Sequence, residues 1–229
     1  MKSMDRILGV LISGRGSNLQ AIIDAIACGS LDARIAVVIS NRSDAAGLER
    51  AKNSGIETVV LDHRGCDRDE YDLMLIRRVE EASGKAGLPC WLYADLRPKL
   101  YRGFSECGIE YPSFVAARVS GHRRTSTGCA SRVKLSGVTV HLVTGELDAG
   151  PIVAQASVQV TDDDTPEALA ARILIQEHRI YPEAISLVLD GTWQVIGRRF
   201  VRSGEPSNHT ESKAKESIGF QPINRQHAS

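Results

Sequence analysis

An excess of charge of either sign is the first thing missing: 28 Lys plus Arg stand against 28 Asp plus Glu, a formal net charge of zero over 229 residues. With no global field, the chain is not expected to hold nucleic acid or an anionic membrane, although a local phosphate site stays open. Long apolar runs are missing too. None reaches a membrane-spanning length, and the N-terminal MKSMDRILGV lacks the extended apolar core of a signal peptide. Cysteine is sparse. Its five positions (28, 66, 90, 107 and 129) follow no disulfide-framework or C-x-x-C spacing, so no metal site and a reducing cytoplasm are expected. There is no internal repeat. The length suits one sizeable α/β domain or two small ones.

Alternation of strand and helix is abundant. RILGVLI (6–12) is a short apolar run ending at Ser13-Gly14, the mark of a parallel strand buried on both faces. Leu19, Ile22, Ile23 and Ile26 then recur at helical spacing. Ala33 to Ile39 predicts a second strand. Ser43 can cap a helix running through Arg50, with Gly55 beyond its end. Thr58 to Leu61 predicts a third strand, and Asp69 to Ala82 a helix with Tyr71, Met74, Leu75 and Val79 on one face. This order predicts a Rossmann-like α/β fold, a doubly wound and mostly parallel sheet. Further on, 137–143 and 152–160 alternate as strands. Thr165-Pro166-Glu167 supplies a cap, a proline at N1 and an acid in the first turn of a helix. Tyr181-Pro182-Glu183 suggests a second helix start of the same kind.

Two loops carry candidate chemistry. Gly14-Arg15-Gly16-Ser17-Asn18 joins a strand to a helix, where glycines permit close backbone approach and free N–H groups favour an anion such as phosphate. Leu19 stands where a dinucleotide fingerprint has its third glycine, and no P-loop Gly-Lys-Ser/Thr follows. Pattern alone leaves two readings, an anion cradle or a tight turn capped by Ser17. HLVTGELDAGP (141–151) places acids in a Gly/Pro-bounded loop after a strand. Glu146 reads as solvated, whereas Asp148, between Leu147 and Ala149-Gly150-Pro151, reads as a purposeful carboxylate. His141 and His178 read as structural. Cys66 lacks an evident base, and Arg68 reads as a surface or helix-start residue.

One stretch fits no period: GIEYPSFVAARVSGHRR (108–124) mixes aromatics with arginines between well-patterned segments. Its meaning comes from a resemblance.

LISGRGSNLQAIIDA (11–25), ISNRSDAAGLERAKNSGI (39–56), DRDEYD (67–72), SGVTVHLVTGELDAGPIV (136–153) and EHRIYPEAI (177–185) together resemble the folate-dependent phosphoribosylglycinamide formyltransferase family of purine synthesis. The resemblance covers roughly residues 5 to 82 and 133 to 200. It implies transfer of a formyl group from the co-substrate 10-formyltetrahydrofolate to the amine of glycinamide ribonucleotide, with small molecules as partners, no metal, and a monomer or weak dimer. It further implies that Gly16, Ser17 and Asn18 hold the ribose phosphate, that Arg68 touches the folate and that Asp148 is the catalytic carboxylate. Residues 1–202 then form the formyltransferase domain, and 203–229 a disordered polar tail. A methionyl-tRNA formyltransferase is expected to carry a further C-terminal domain, and a formyltetrahydrofolate deformylase an N-terminal regulatory one.

The family also uses an Asn-x-His-Pro-Ser-Leu-Leu-Pro segment and, before it, Ala-Gly-Phe-Met-Arg. Neither is present. Yet Glu110 to Ala117 can be encoded so that a one-base shift spells Asn-Ile-His-Pro-Ser-Leu-Leu-Pro. Cys90 to Asp95 permits Ala-Gly-Phe-Met-Arg-Ile at the same offset. A compensated frameshift over about 86–132 is therefore expected. Glu110 and Pro112 would then occupy the places of the asparagine and histidine that stabilise the oxyanion, leaving a catalytically dead product or a non-catalytic phosphate or folate binder as the alternative. The family's fourth and fifth strands, expected over 87–93 and 106–112, would include Pro89, Cys90, Glu106 and Glu110, which suit doubly buried strands poorly.

Overall fold

The computed structural model describes residues 6–62, 64–65, 67–83, 90–93, 114–119, 133–142 and 150–203. Strand β1 (Ile7–Ile12) is buried at every position. Leu8, Val10 and Ile12 join one core with residues of the first helix, whereas Ile7 and Leu11 are buried on the opposite face. Two covered faces explain the unbroken apolar run, because alternation survives only where one face meets water. Each such side chain contributes about 1.5–3 kcal/mol by leaving solvent.

β1 is followed by α1 (Ser17–Ala27), β2 (Arg34–Ser40), α2 (Ala46–Asn53), β3 (Glu57–Val60) and α3 (Arg68–Ser83). β4 (Cys90–Tyr93), β5 (Phe114–Val119), β6 (Leu135–Leu142), β7 (Ile152–Gln159), α4 (Pro166–Leu189), β8 (Trp193–Ile196) and β9 (Arg199–Arg202) complete the described elements. The strands lie in one sheet ordered β3-β2-β1-β4-β5-β6-β7-β9-β8. β3, β2, β1, β4 and β5 are parallel, β6 runs antiparallel to β5, and β7 to β6. This is the expected Rossmann-like, mostly parallel α/β architecture. The chain winds outward from β1 through β2 to β3, then crosses to β4 on the other side of β1. The carboxyl end of β1 is thus a topological switch point, the place where open α/β sheets hold ligands.

α1 and α4 pack on one another and on the core beneath β1, through Leu19, Ile22, Ile173, Ile180 and Tyr181. Tyr71 in α3 donates from its hydroxyl to the Leu61 carbonyl at 3.1 Å, which ties the start of α3 to the end of β3.

Two local expectations are corrected. Ser43 does not cap α2, whose N-cap is Ala45 without a side-chain hydrogen bond. Tyr181-Pro182-Glu183 starts no new helix, because α4 runs unbroken from Pro166 to Leu189 with Pro182 inside it. Pro182 and its neighbours Tyr181, Ala184 and Ile185 are buried, and that packing outweighs the missing backbone hydrogen bond. The hairpin β8–β9 was not foreseen, although Gly197 at φ +62 marks its tight turn. β4 falls within its expected range, but the next described strand is Phe114–Val119, paired parallel to β4. Residues 106–112 lie outside the described residues, as do 204–229.

Candidate active site

The glycine turn begins where β1 ends. Gly16 takes φ +66°, a left-handed conformation that costs an L-residue with a Cβ about 1–2 kcal/mol. Space forbids a side chain as well, since a Cβ on Gly16 would lie 2.6 Å from the Cα of Gly47. Gly16 is the N-cap of α1, with no side-chain cap hydrogen bond among the described residues. The reading of Ser17 as a capping residue therefore fails, because Ser17 is already the first helical residue. The first-turn N–H groups of Ser17 and Asn18 have no intrahelical acceptor and lie at the positive end of the helix dipole. Of the two readings of this turn, the Ser17-capped one is overturned, and the anion cradle stays an expectation.

Beneath the turn, Asn18 Nδ2 donates to Glu177 Oε1 at 2.6 Å. Glu177 is only 2% exposed, and burial pushes its carboxyl up from the usual range, partly offset by the Asn18 hydrogen bond. Asn18 Oδ1 is buried and has no hydrogen-bond partner among the described residues. A buried carboxylate and an amide with one idle oxygen thus lie beneath the glycine turn. Sequence reasoning missed Glu177. The signal was available, because Leu169, Ile173, Glu177, Ile180 and Ala184 share one apolar stripe, and an acid on such a stripe needs a reason. His178 stands beside it with Nε2 buried and without a hydrogen bond among the described residues. Its pKa is lowered, first by burial and then by the nearby Arg50 cation.

Arg68 is the first residue of α3, directly after the β3 loop. It shares the carboxyl edge of the parallel strands with the glycine turn. Asp148 lies outside the described residues, as does Glu146. The ends of their loop are defined: Leu142 N donates to Pro151 O at 2.9 Å, and Gly150 packs so closely on the Leu142 carbonyl that a Cβ has no room. Buried His141 shares a 2.8 Å contact between Nδ1 and the Leu142 carbonyl, in keeping with a structural histidine. Among the described residues no group of three or more His, Cys, Asp or Glu could hold a metal ion. No helix among them is long and apolar enough to cross a membrane.

The sheet order defines a Rossmann-like, mostly parallel α/β protein with a left-handed glycine turn at its switch point. The formyl transferase family model matches residues 6–85 and 112–185, and the chain belongs to that family. It is 36% identical over 183 residues to the phosphoribosylglycinamide formyltransferase of Escherichia coli (strain K12), covering 80% of this chain and 86% of that protein. It is 35% identical over 193 residues to the human trifunctional purine biosynthetic protein adenosine-3, spanning 82% of this chain but only 19% of that much longer protein. The crystal structure of glycinamide ribonucleotide transformylase 1 from Symbiobacterium toebii superposes with a TM-score of 0.77 at 35% identity, over 88% of this chain and 95% of that one. The family match omits 86–111, which falls inside the stretch where the family's Asn-x-His segment is missing.

Proposed function

We propose that the chain is a phosphoribosylglycinamide formyltransferase whose ribose-phosphate site is intact and whose oxyanion-stabilising segment is not. The observation carrying this reading is the turn at Gly16, Ser17 and Asn18. Its N–H groups are uncapped, it sits at the switch point, and it belongs to a chain covering most of the length of an enzyme of that name.

In the reaction, the substrate amine attacks the formyl carbon of 10-formyltetrahydrofolate and forms a new C–N bond. Negative charge gathers on the formyl oxygen. Collapse of this adduct breaks the bond to the folate nitrogen, which takes up a proton as the amine gives one up. The turn would fix the substrate phosphate, so that binding energy remote from the reacting atoms orients the amine. Arg68 would face the anionic folate, and Asp148 would hold and move the proton. By the resemblance, however, the family's oxyanion-stabilising asparagine and histidine would be replaced by Glu110, which is acidic, and Pro112, which has no donor. Removing one oxyanion donor typically costs about a hundredfold or more in rate. We place the reaction in the cytoplasm and assign it to a monomer or weak dimer acting on small molecules, without nucleic acid.

Isothermal titration separates binding from chemistry. The chain should bind glycinamide ribonucleotide, and Ser17 or Asn18 variants should bind it more weakly. Equal affinity for the ribonucleotide and its dephosphorylated riboside would sink the phosphate assignment.

A further inference from the structure

The glycine turn does not hold its shape alone, because α2 grips it from the side. The Gly47 N–H, in the first turn of α2, donates to the Gly14 carbonyl at 3.1 Å. Arg50 Nε, one turn further along α2, donates to the Arg15 carbonyl at 3.0 Å. Arg50 Nη1 also donates to Gln20 Oε1 on α1 at 3.2 Å, and Gln20 Nε2 passes the link to Asp24 at 2.8 Å. The aliphatic stem of Arg50 closes over Gly16, with Cδ 3.8 Å from where a Cβ would stand. Its cation is also felt at His178 on α4. One exposed side chain therefore joins the turn to α1.

The consequence follows from peptide geometry. In a trans peptide the C=O and the next N–H point in opposite directions, and no described peptide bond is cis. Drawing the Gly14 and Arg15 carbonyls towards α2 turns the N–H groups of Arg15 and Gly16 away from it. Along the chain these amides run directly into those at the start of α1. Successive N–H groups aimed into one concavity form an anion cradle.

From this we infer that Arg50 is a positioning residue: its guanidinium sets the orientation of the turn's amides and so determines affinity for a phosphorylated substrate. This inference rests on the assignment of the turn as the phosphate site. Gly47 makes the companion contact through its backbone, leaving Arg50 as the side chain through which the device can be tested.

The full-length chain is titrated with glycinamide ribonucleotide and with inorganic phosphate, as wild type, Arg50→Ala and Arg50→Lys. The amide resonances of Gly16, Ser17 and Asn18 are recorded without ligand in each. Loss of a charge-assisted hydrogen bond predicts affinity for the ribonucleotide about tenfold weaker in Arg50→Ala. The melting temperature should be nearly unchanged, and the turn amides should shift or broaden. Arg50→Lys keeps the charge but not the fork that spans Arg15 and Gln20, so it should recover only part of the affinity. Full recovery in Arg50→Lys would show that charge alone matters and would overturn the positioning role. Equal binding and unshifted amides in Arg50→Ala would also overturn it. Absence of binding in the wild type would instead sink the phosphate-site assignment. The unliganded amide spectra would then still decide whether Arg50 orients the turn, and if Arg50→Ala does not fold, Arg50→Lys carries the comparison.

Discussion

Gly16 shows how much depends on a single residue. Its left-handed backbone and the 2.6 Å approach of Gly47 both exclude a Cβ. Gly16→Ala should cost at least about 1 kcal/mol from conformation alone and abolish ribonucleotide binding, read by thermal melts and titration. The sequence made this turn legible because the signal is local: strand, glycines, helix. Gly47 was not legible, since what it touches lies more than thirty positions away and only the fold reveals it. Glu177 lies between these cases, a misplaced acid on an apolar stripe whose partner Asn18 could not be guessed. Elsewhere, Asp164 is held by both guanidinium arms of Arg172 and by the Thr161 N–H, which lower its carboxyl from 3.8 to about 2. A depressed carboxyl stabilises the fold fully above the unfolded value and loses that contribution as pH falls towards the folded one. Asp164→Asn should therefore melt lower than wild type at pH 6. The gap should close between about pH 4 and pH 2, as thermal denaturation across that range would show.

At the scale of elements, α2 ends three residues beyond the expected Arg50, whereas the strands β1 to β3 and the helix α3 were predicted to within a residue at each end. Buried apolar runs and 3.6-residue stripes leave little choice there. The start of α4 was equally plain. Thr165 caps it by accepting from the Ala168 N–H at 3.2 Å, with Pro166 directly after the cap. Thr165→Ala should cost about 1 kcal/mol, visible as a lower denaturant midpoint with an unchanged slope. The continuation of α4 through Pro182 was not legible, because proline's local preference is to end a helix. Here Tyr181, Ile185 and Val188 bury the segment against the core and tertiary packing prevails. The β8–β9 hairpin was missed for a different reason. Its strands are short and largely exposed, so they show no apolar alternation. The stacked pair Trp193 and Phe200, with ring centroids 5.0 Å apart, forms only once the two strands meet.

For the whole molecule, the sheet order and the family match agree on one scaffold. What the family resemblance added was the identity of the substrates, which no fold dictates. It also set up the expectation that 86–132 departs from the family's motifs, while the family match itself omits 86–111. If that departure is a slipped reading frame, the binding half and the missing chemistry are separable. The most direct test measures formyl transfer from 10-formyltetrahydrofolate to glycinamide ribonucleotide by this chain, side by side with one carrying the neighbouring-frame translation across 86–132. That translation includes Asn-Ile-His-Pro-Ser-Leu-Leu-Pro in place of residues 110–117. The restored chain should turn over at least about a hundredfold faster, with similar affinity for the ribonucleotide. Equal rates in the two chains would contradict the account.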